Sequence, residues 1–297
     1  MSPVKLVSSA KTAGRQPERL LPGPLRWAVL VLAAFLVFVP VAYLLVLSVT
    51  PDAQVSLGNI WPSHLEISNY WTIWSTVSLG RGFLNSAVIC GGAALAAVLV
   101  ASLAAYPLAR FEFFGRRSFL YSVLGAQIVP GSMVLLPLFV TFSAIQAFIG
   151  VVVIGSYWAM IVTYLTFSLP FAVWMMVSYL RTVPRELEEA AMVDGAGPLR
   201  ALARVVLPLT VPGMVVTFVF SFLLGWNDVL FASVLTSPST RTLAVDLQVF
   251  SFVQDGAGVP QYASLMAAGV EAAVPVVVIY LVLQRYVVGG LSAGAVK

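Results

Sequence analysis

From Ser118 to Leu180 the chain runs for 63 residues without one Asp, Glu, Lys, Arg or His. A single bilayer-spanning helix needs about 20 residues, so this run is too long for one crossing. The groups that flank it, Arg110, Arg116 and Arg117 before and Arg181, Arg185, Arg200 and Arg204 after, are both basic. Basic residues gather on one side of a membrane, so the run crosses an even number of times and holds two helices. Composition agrees. Hydrophobic residues make up 60% and charged residues 9% of the chain, where a soluble domain carries about a quarter charged. An apolar surface of that extent belongs in lipid.

Gaps between charges place the remaining spans. Trp27 to Val49 is uncharged, and at ~1.5 Å per residue it covers roughly 35 Å, enough for a hydrocarbon core of ~30 Å. Phe83–Leu108, Val205–Asn227 and Tyr262–Gln284 follow, the last interrupted only by Glu271. The uncharged run divides into Ser118–Phe142 and Val151–Leu180, with Gly150 near the turn. An all-α polytopic membrane protein with six transmembrane helices results. An even number of crossings puts both termini on one side, and fourteen of the sixteen Lys and Arg residues then share it; only Arg81 and Arg241 lie opposite. The basic excess therefore marks membrane orientation, with both termini cytoplasmic, and gives no support for nucleic-acid binding. Residues 1–26 are polar, basic and free of an apolar signal-peptide core, and read as a flexible cytoplasmic tail. Residues 27–297 form the transmembrane domain. The two external segments, 50–82 and 229–261, carry aromatics suited to an interface, among them Trp61, Trp74 and Phe231.

Several functions lack their residues. Cys90 is the one cysteine and lies in an apolar run, so it reads as a small core residue and forms no intramolecular disulfide. His64 has no second His or Cys to complete a metal site. There is no Gly-x-x-x-x-Gly-Lys-Ser/Thr phosphate loop and no nucleophile, base and orienting set, which leaves no basis for catalysis in this chain. Pro130, Pro137, Pro170, Pro212 and Pro275 fall within the expected spans, where each removes a backbone hydrogen bond and favours a kink.

A charged island at 184–208 separates two membrane-length blocks. Pro184 suits the start of a helix, Glu186, Glu188 and Glu189 complement its positive end, and Gly195 suits the left-handed turn that ends it. A second helix starts at Pro198, with Leu199, Leu202, Ala203 and Val206 at helical spacing as its apolar stripe. Two short helices around a glycine make a knob between two spans. The residues Glu189-Ala190-Ala191, then Asp194-Gly195, then nine residues and Val205-Val206-Leu207-Pro208, resemble the coupling loop of bacterial ABC importer permeases, with Val205 where Ile is usual. Three further segments resemble the carbohydrate branch of that family. They are Ala105–Phe111 with Gly115-Arg116, Trp226-Asn227-Asp228, and Gln284-Arg285-Tyr286 with Gly290–Lys297; Pro107 stands where Ala is usual. The likeness is to the shorter permease of maltose-type sugar importers.

The resemblance implies a type I importer permease fold and a set of partners: a homologous second permease, two cytoplasmic ATPases that bind ATP and Mg, an extracytoplasmic solute-binding protein, and membrane lipid. Glu189, Ala190, Ala191, Asp194, Gly195, Leu207 and Pro208 would couple to an ATPase. Asn227, Asp228 and Glu271, the last an acidic residue inside a span, are the candidates for the substrate pathway. Carboxylates and amides suit a hydroxyl-rich ligand. Three alternatives need different features. A permease for another small solute would lack the Trp-Asn-Asp and C-terminal likenesses. An ion-coupled carrier would show an inverted repeat and several intramembrane ionisable groups. A membrane enzyme or assembly subunit would show a catalytic set or no coupling island.

Overall fold

The computed structural model describes residues 23–59, 61–254 and 261–295, and among these all regular structure is helical. The helices are α1 (Gly23–Ser48), α2 (Asp52–Ser56), α3 (Asn69–Thr76), α4 (Leu79–Arg110), α5 (Arg116–Gly125), α6 (Gly131–Ile149) and α7 (Tyr157–Leu180). They continue as α8 (Arg185–Val193), α9 (Pro198–Ala201), α10 (Leu207–Leu209), α11 (Val211–Trp226), α12 (Leu230–Leu235), α13 (Leu243–Gln254) and α14 (Tyr262–Ala295). Among the described residues, helices α1, α4, α6, α7 and α14 are each long and apolar enough to cross a membrane, and the segment from Pro198 to Trp226, bent by 74°, is long and apolar enough to make a sixth when taken as one span. The chain forms two compact units, residues 1–44 and residues 45–297. The first is represented by most of α1, which starts at Gly23, inside the stretch expected as tail; residues 1–22 lie outside the described residues.

In the second unit α4 is the central element, packed along α7 and α11. Its sequence explains why. Ala93, Ala97, Ala101 and Ala105 recur every fourth position and are fully buried, forming a smooth stripe that lets neighbouring backbones approach closely. One buried cluster joins α4 to α7, α11 and α12 through Cys90, Tyr164, Trp226 and Phe231. A second, nearer the C-terminal end of α4, joins it to α7 and to Leu202 and Val206. Helix α14 packs on α11 and receives α2, α3 and α13.

Three expectations need correction. The third span is α6 and not Ser118–Phe142, because the chain turns at Pro130. Val129 is extended (φ −72°, ψ 119°) and Pro130 is the residue before α6, as expected where a proline crowds the residue preceding it. Residues 116–128 form α5 and a short 3₁₀ turn. The fourth span starts at Tyr157, six residues later than expected, after Gly150 at φ +69° and with the Ser156 hydroxyl accepting from the Ala159 amide. The fifth is broken. Leu202–Val206 form a π-helical turn that ends with the Leu207 amide donating to the Leu202 carbonyl. This wide turn relieves the clash a proline at 208 would make with the carbonyl of residue 204, and Pro212, also without an N–H, begins a new helix direction after Thr210. Pro130 and Pro212 thus sit at helix starts, while Pro137, Pro170 and Pro275 lie inside helices.

Candidate functional site: the coupling knob and the far end of the bundle

The island at 184–208 folds as two short helices around Gly195. Helix α8 ends with the Ala196 amide donating to Ala191 O and the Gly195 amide to Met192 O, both at 3.0 Å, and Gly195 has φ +88°. These paired bonds are the closure that a left-handed residue after a helix provides. Nothing would meet a Cβ on Gly195. The turn is therefore demanded by backbone conformation alone.

Burial divides the knob into an inner and an outer face. Glu188, Ala201, Leu202 and Val206 are buried, whereas Glu189, Ala190, Asp194, Gly195 and Pro208 are exposed and Ala191 and Leu207 are half-buried. The expected stripe is only half right. Leu202 and Val206 turn inward, but Leu199 is 76% exposed and Ala203 is exposed. With Val193 at 87% exposure, Leu199 leaves apolar side chains on both sides of the Gly195 turn.

On the inner face Glu188 Oε2 lies 2.9 Å from Arg110 Nε, the one ion pair among the described residues. The Tyr106 hydroxyl donates to the other carboxylate oxygen, Oε1. Arg110 Nη1 donates to the Val183 carbonyl at 3.1 Å, and Arg185 Nη2 donates to the Arg110 carbonyl at 3.0 Å. The sequence marked Glu188 only as a charge suited to the start of α8, and Tyr106 and Arg110 only as members of the Ala105–Phe111 segment, with Arg110 also an orientation marker; nothing in it joined the three. Glu188 carries a weak signal, since it falls a helical turn before Met192 and opposite the solvated face of α8.

At the other end of α4 the three pathway candidates part company. Asp228 accepts from the amides of Phe231 (3.1 Å) and Ala232 (3.0 Å), opening α12, and from the Tyr164 hydroxyl at 2.9 Å. Asn227 is exposed and donates back to Leu223 O at 2.9 Å. Both line a groove of about 640 Å³ with Tyr164, Phe167, Phe220 and Phe231. Asn227 also borders a second groove of about 380 Å³ against α14. Glu271 is held elsewhere. Its Oε1 accepts from the Trp74 indole at 3.0 Å, and Trp74 stacks on Phe83 with ring centroids 5.7 Å apart. Trp74 and Tyr164 are the partners that sequence reasoning missed, being 197 and 64 residues from the carboxylates they meet.

Two acidic groups outside the spans steady this end. Asp52 accepts from the Ala263 amide at 2.7 Å and the Ser264 hydroxyl at 3.3 Å, which fastens α2 to the first turn of α14. Burial raises its pKa above the usual carboxylate value, against the pull of those hydrogen bonds. Asp246 is likewise raised by burial, offset by the charges of Arg241 and Arg81.

Residues 97–292 match the binding-protein-dependent transport system inner membrane components. The chain belongs to that family. It is 34% identical over 274 residues to the diacetylchitobiose uptake system permease protein of Streptomyces coelicolor, covering 91% of this chain and 87% of the relative. It is 32% identical over 272 residues to the trehalose transport system permease protein of Mycobacterium tuberculosis, covering 91% and 97%. Among solved structures, a chain of a bacterial ABC transporter involved in alginate import superposes with a TM-score of 0.72 at 20% identity, covering 89% of this chain and 96% of that one. The fold is that of a type I ABC importer permease. This permease is a membrane transport subunit that works with other ABC components, and not a catalyst.

Proposed function

We propose that this permease is one of two homologous membrane subunits of an ATP-driven importer for a sugar, and that its knob docks on a cytoplasmic ATPase which binds ATP and Mg. One observation carries the docking half of this reading. Val193 and Leu199, 87% and 76% exposed, flank Gly195 beside the carboxylate of Glu189. Apolar side chains displayed on a polar loop outside the spans are best accounted for by a protein that covers them. The named substrates of the relatives, diacetylchitobiose and trehalose, support a carbohydrate cargo. The groove at Asn227 and Asp228 has matching chemistry, with aromatic rings beside an amide and a carboxylate. Glu271 is an anchor for Trp74 in this reading, and the termini and the knob are cytoplasmic.

Val193→Asp alters the outer face alone, and Glu189→Lys alters an exposed side chain at the rim of the cavity that Tyr106 and Arg110 also line. Both are expected to lose ATPase subunits during purification of the complex and to lower uptake at least fivefold. Full retention of the ATPases with normal uptake in both variants would overturn the docking assignment. For the cargo, uptake by cells expressing the whole system is expected to be competed by unlabelled disaccharides and not by amino acids; the reverse pattern would overturn the sugar.

A further inference from the structure

We propose that Arg110 and Glu188 form a strut that carries movement of the knob into α4, making both of them positioning residues for transport. The inference rests on the reading of the knob as the ATPase contact. Helix α8 has two working faces one residue apart. Glu189 is exposed on the outer face, while Glu188, about 100° around the helix from it, points inward to the last turn of α4.

The contact is built for transmission in three ways. Both side chains are 7% exposed, so water and salt screen the pair far less than a surface ion pair. Each partner is held at more than one point: Glu188 by the charge of Arg110, whose Nε lies 2.9 Å away without making a hydrogen bond, and by the Tyr106 hydroxyl, Arg110 by Glu188 and by the Val183 carbonyl, with Arg185 returning a bond to the Arg110 carbonyl. A push on α8 therefore meets a fixed geometry and not a sliding apolar contact. The helix that receives it is the one most of the bundle rests on, since α7 and α11 both pack on α4 and the alanine stripe is fully buried. Close-packed interiors pass displacement on instead of absorbing it.

Stability alone gives a poor account of the pair. Buried ion pairs can often be replaced by apolar side chains of similar size with no loss of stability, and their attested use is to fix one arrangement among several. A cavity of about 230 Å³ opens directly beside the pair, bounded by Phe111, Met192 and Pro198. The last turn of α4 and the first of α8 are thus joined through the polar contacts more than through filled apolar packing.

The test uses the complete complex in lipid vesicles with its cognate solute-binding protein as isolated from cells. The readout is ATP hydrolysis with the binding protein divided by hydrolysis without it. Glu188→Gln keeps an acceptor for Tyr106 and removes the charge; the Arg110→Met, Glu188→Met double variant replaces the strut by flexible apolar contact. In both, the ratio is expected to fall to about one while ATPase subunits and ATP hydrolysis persist. A parent-like ratio in assembled Glu188→Gln, or its restoration in the double variant, would overturn the strut. So would a parallel loss of subunits and hydrolysis in both variants, which is the result of a purely structural pair. Failure of the docking reading shows separately, as ATPases retained by Val193→Asp, a position outside the cavity beside the pair.

Discussion

Glu271 shows what a single side chain in a span reveals and conceals. A charged residue at mid-bilayer costs roughly 2.5 to 3.5 kcal/mol, so an acidic group in an apolar run announces that it has a partner. The sequence could not say which, because Trp74 is 197 residues away. The bond joins α3 to α14 across the far end of the bundle, and Oε2 is buried without a hydrogen bond of its own. Glu271→Gln keeps the acceptor and removes the charge, so it is expected to leave uptake within twofold of the parent. Glu271→Leu removes the acceptor and is expected to lower stability in detergent by about 1 kcal/mol, the net worth of a typical hydrogen bond. Thermal unfolding of the purified complex and uptake measured side by side check both. Loss of uptake in an assembled, stable Gln variant would mean that the carboxylate acts on the cargo. Asp228 was picked out by its motif as a pathway candidate, but its contacts with the first amides of α12 and with the Tyr164 hydroxyl are ones that only the fold creates.

Among elements, those with strong local signals were readable and those shaped by neighbours were not. Helix α8 carries its own start at Pro184, its acidic first turn and its glycine stop, and it forms as the sequence predicts. The π turn at 202–206 and the 74° break after it depend on two prolines acting on backbone partners four residues earlier, where hydropathy is uniform. The third span was misplaced for the same reason: Pro130 interrupts a run whose apolar character never changes. Gly195 gives the sharpest test at this scale. Its φ of +88° with open space at the Cβ position means that Gly195→Val changes backbone energy and nothing else, by at least ~1 kcal/mol. That is enough to unsettle a two-helix knob and too little to unfold the bundle. Transport is expected to fall severalfold with membrane insertion and yield unchanged; normal transport would show that the knob tolerates a different turn.

For the molecule as a whole, architecture and orientation rest on different evidence. The number of passages follows from the length of apolar segments, and the packing around α4 from its alanine stripe, yet neither says which end of the bundle faces the cytoplasm. Only the distribution of charge does. Under the proposed six-span topology, fourteen of the sixteen basic residues share one side and Arg81 and Arg241 take the other. A bias of that size in short loops sets orientation during insertion. Ser63 and Ser239 are both exposed, on the segments assigned to the outside, and Asp194 is exposed on the knob. Cys90 is fully buried and contributes little background to thiol labelling. Cysteine introduced at Ser63 or Ser239 is therefore expected to react with a membrane-impermeant thiol reagent in intact cells. Cysteine at Asp194 is expected to react only after the membrane is opened. Labelling of Asp194→Cys in sealed cells would invert the orientation, and with it the side from which an ATPase could reach the knob.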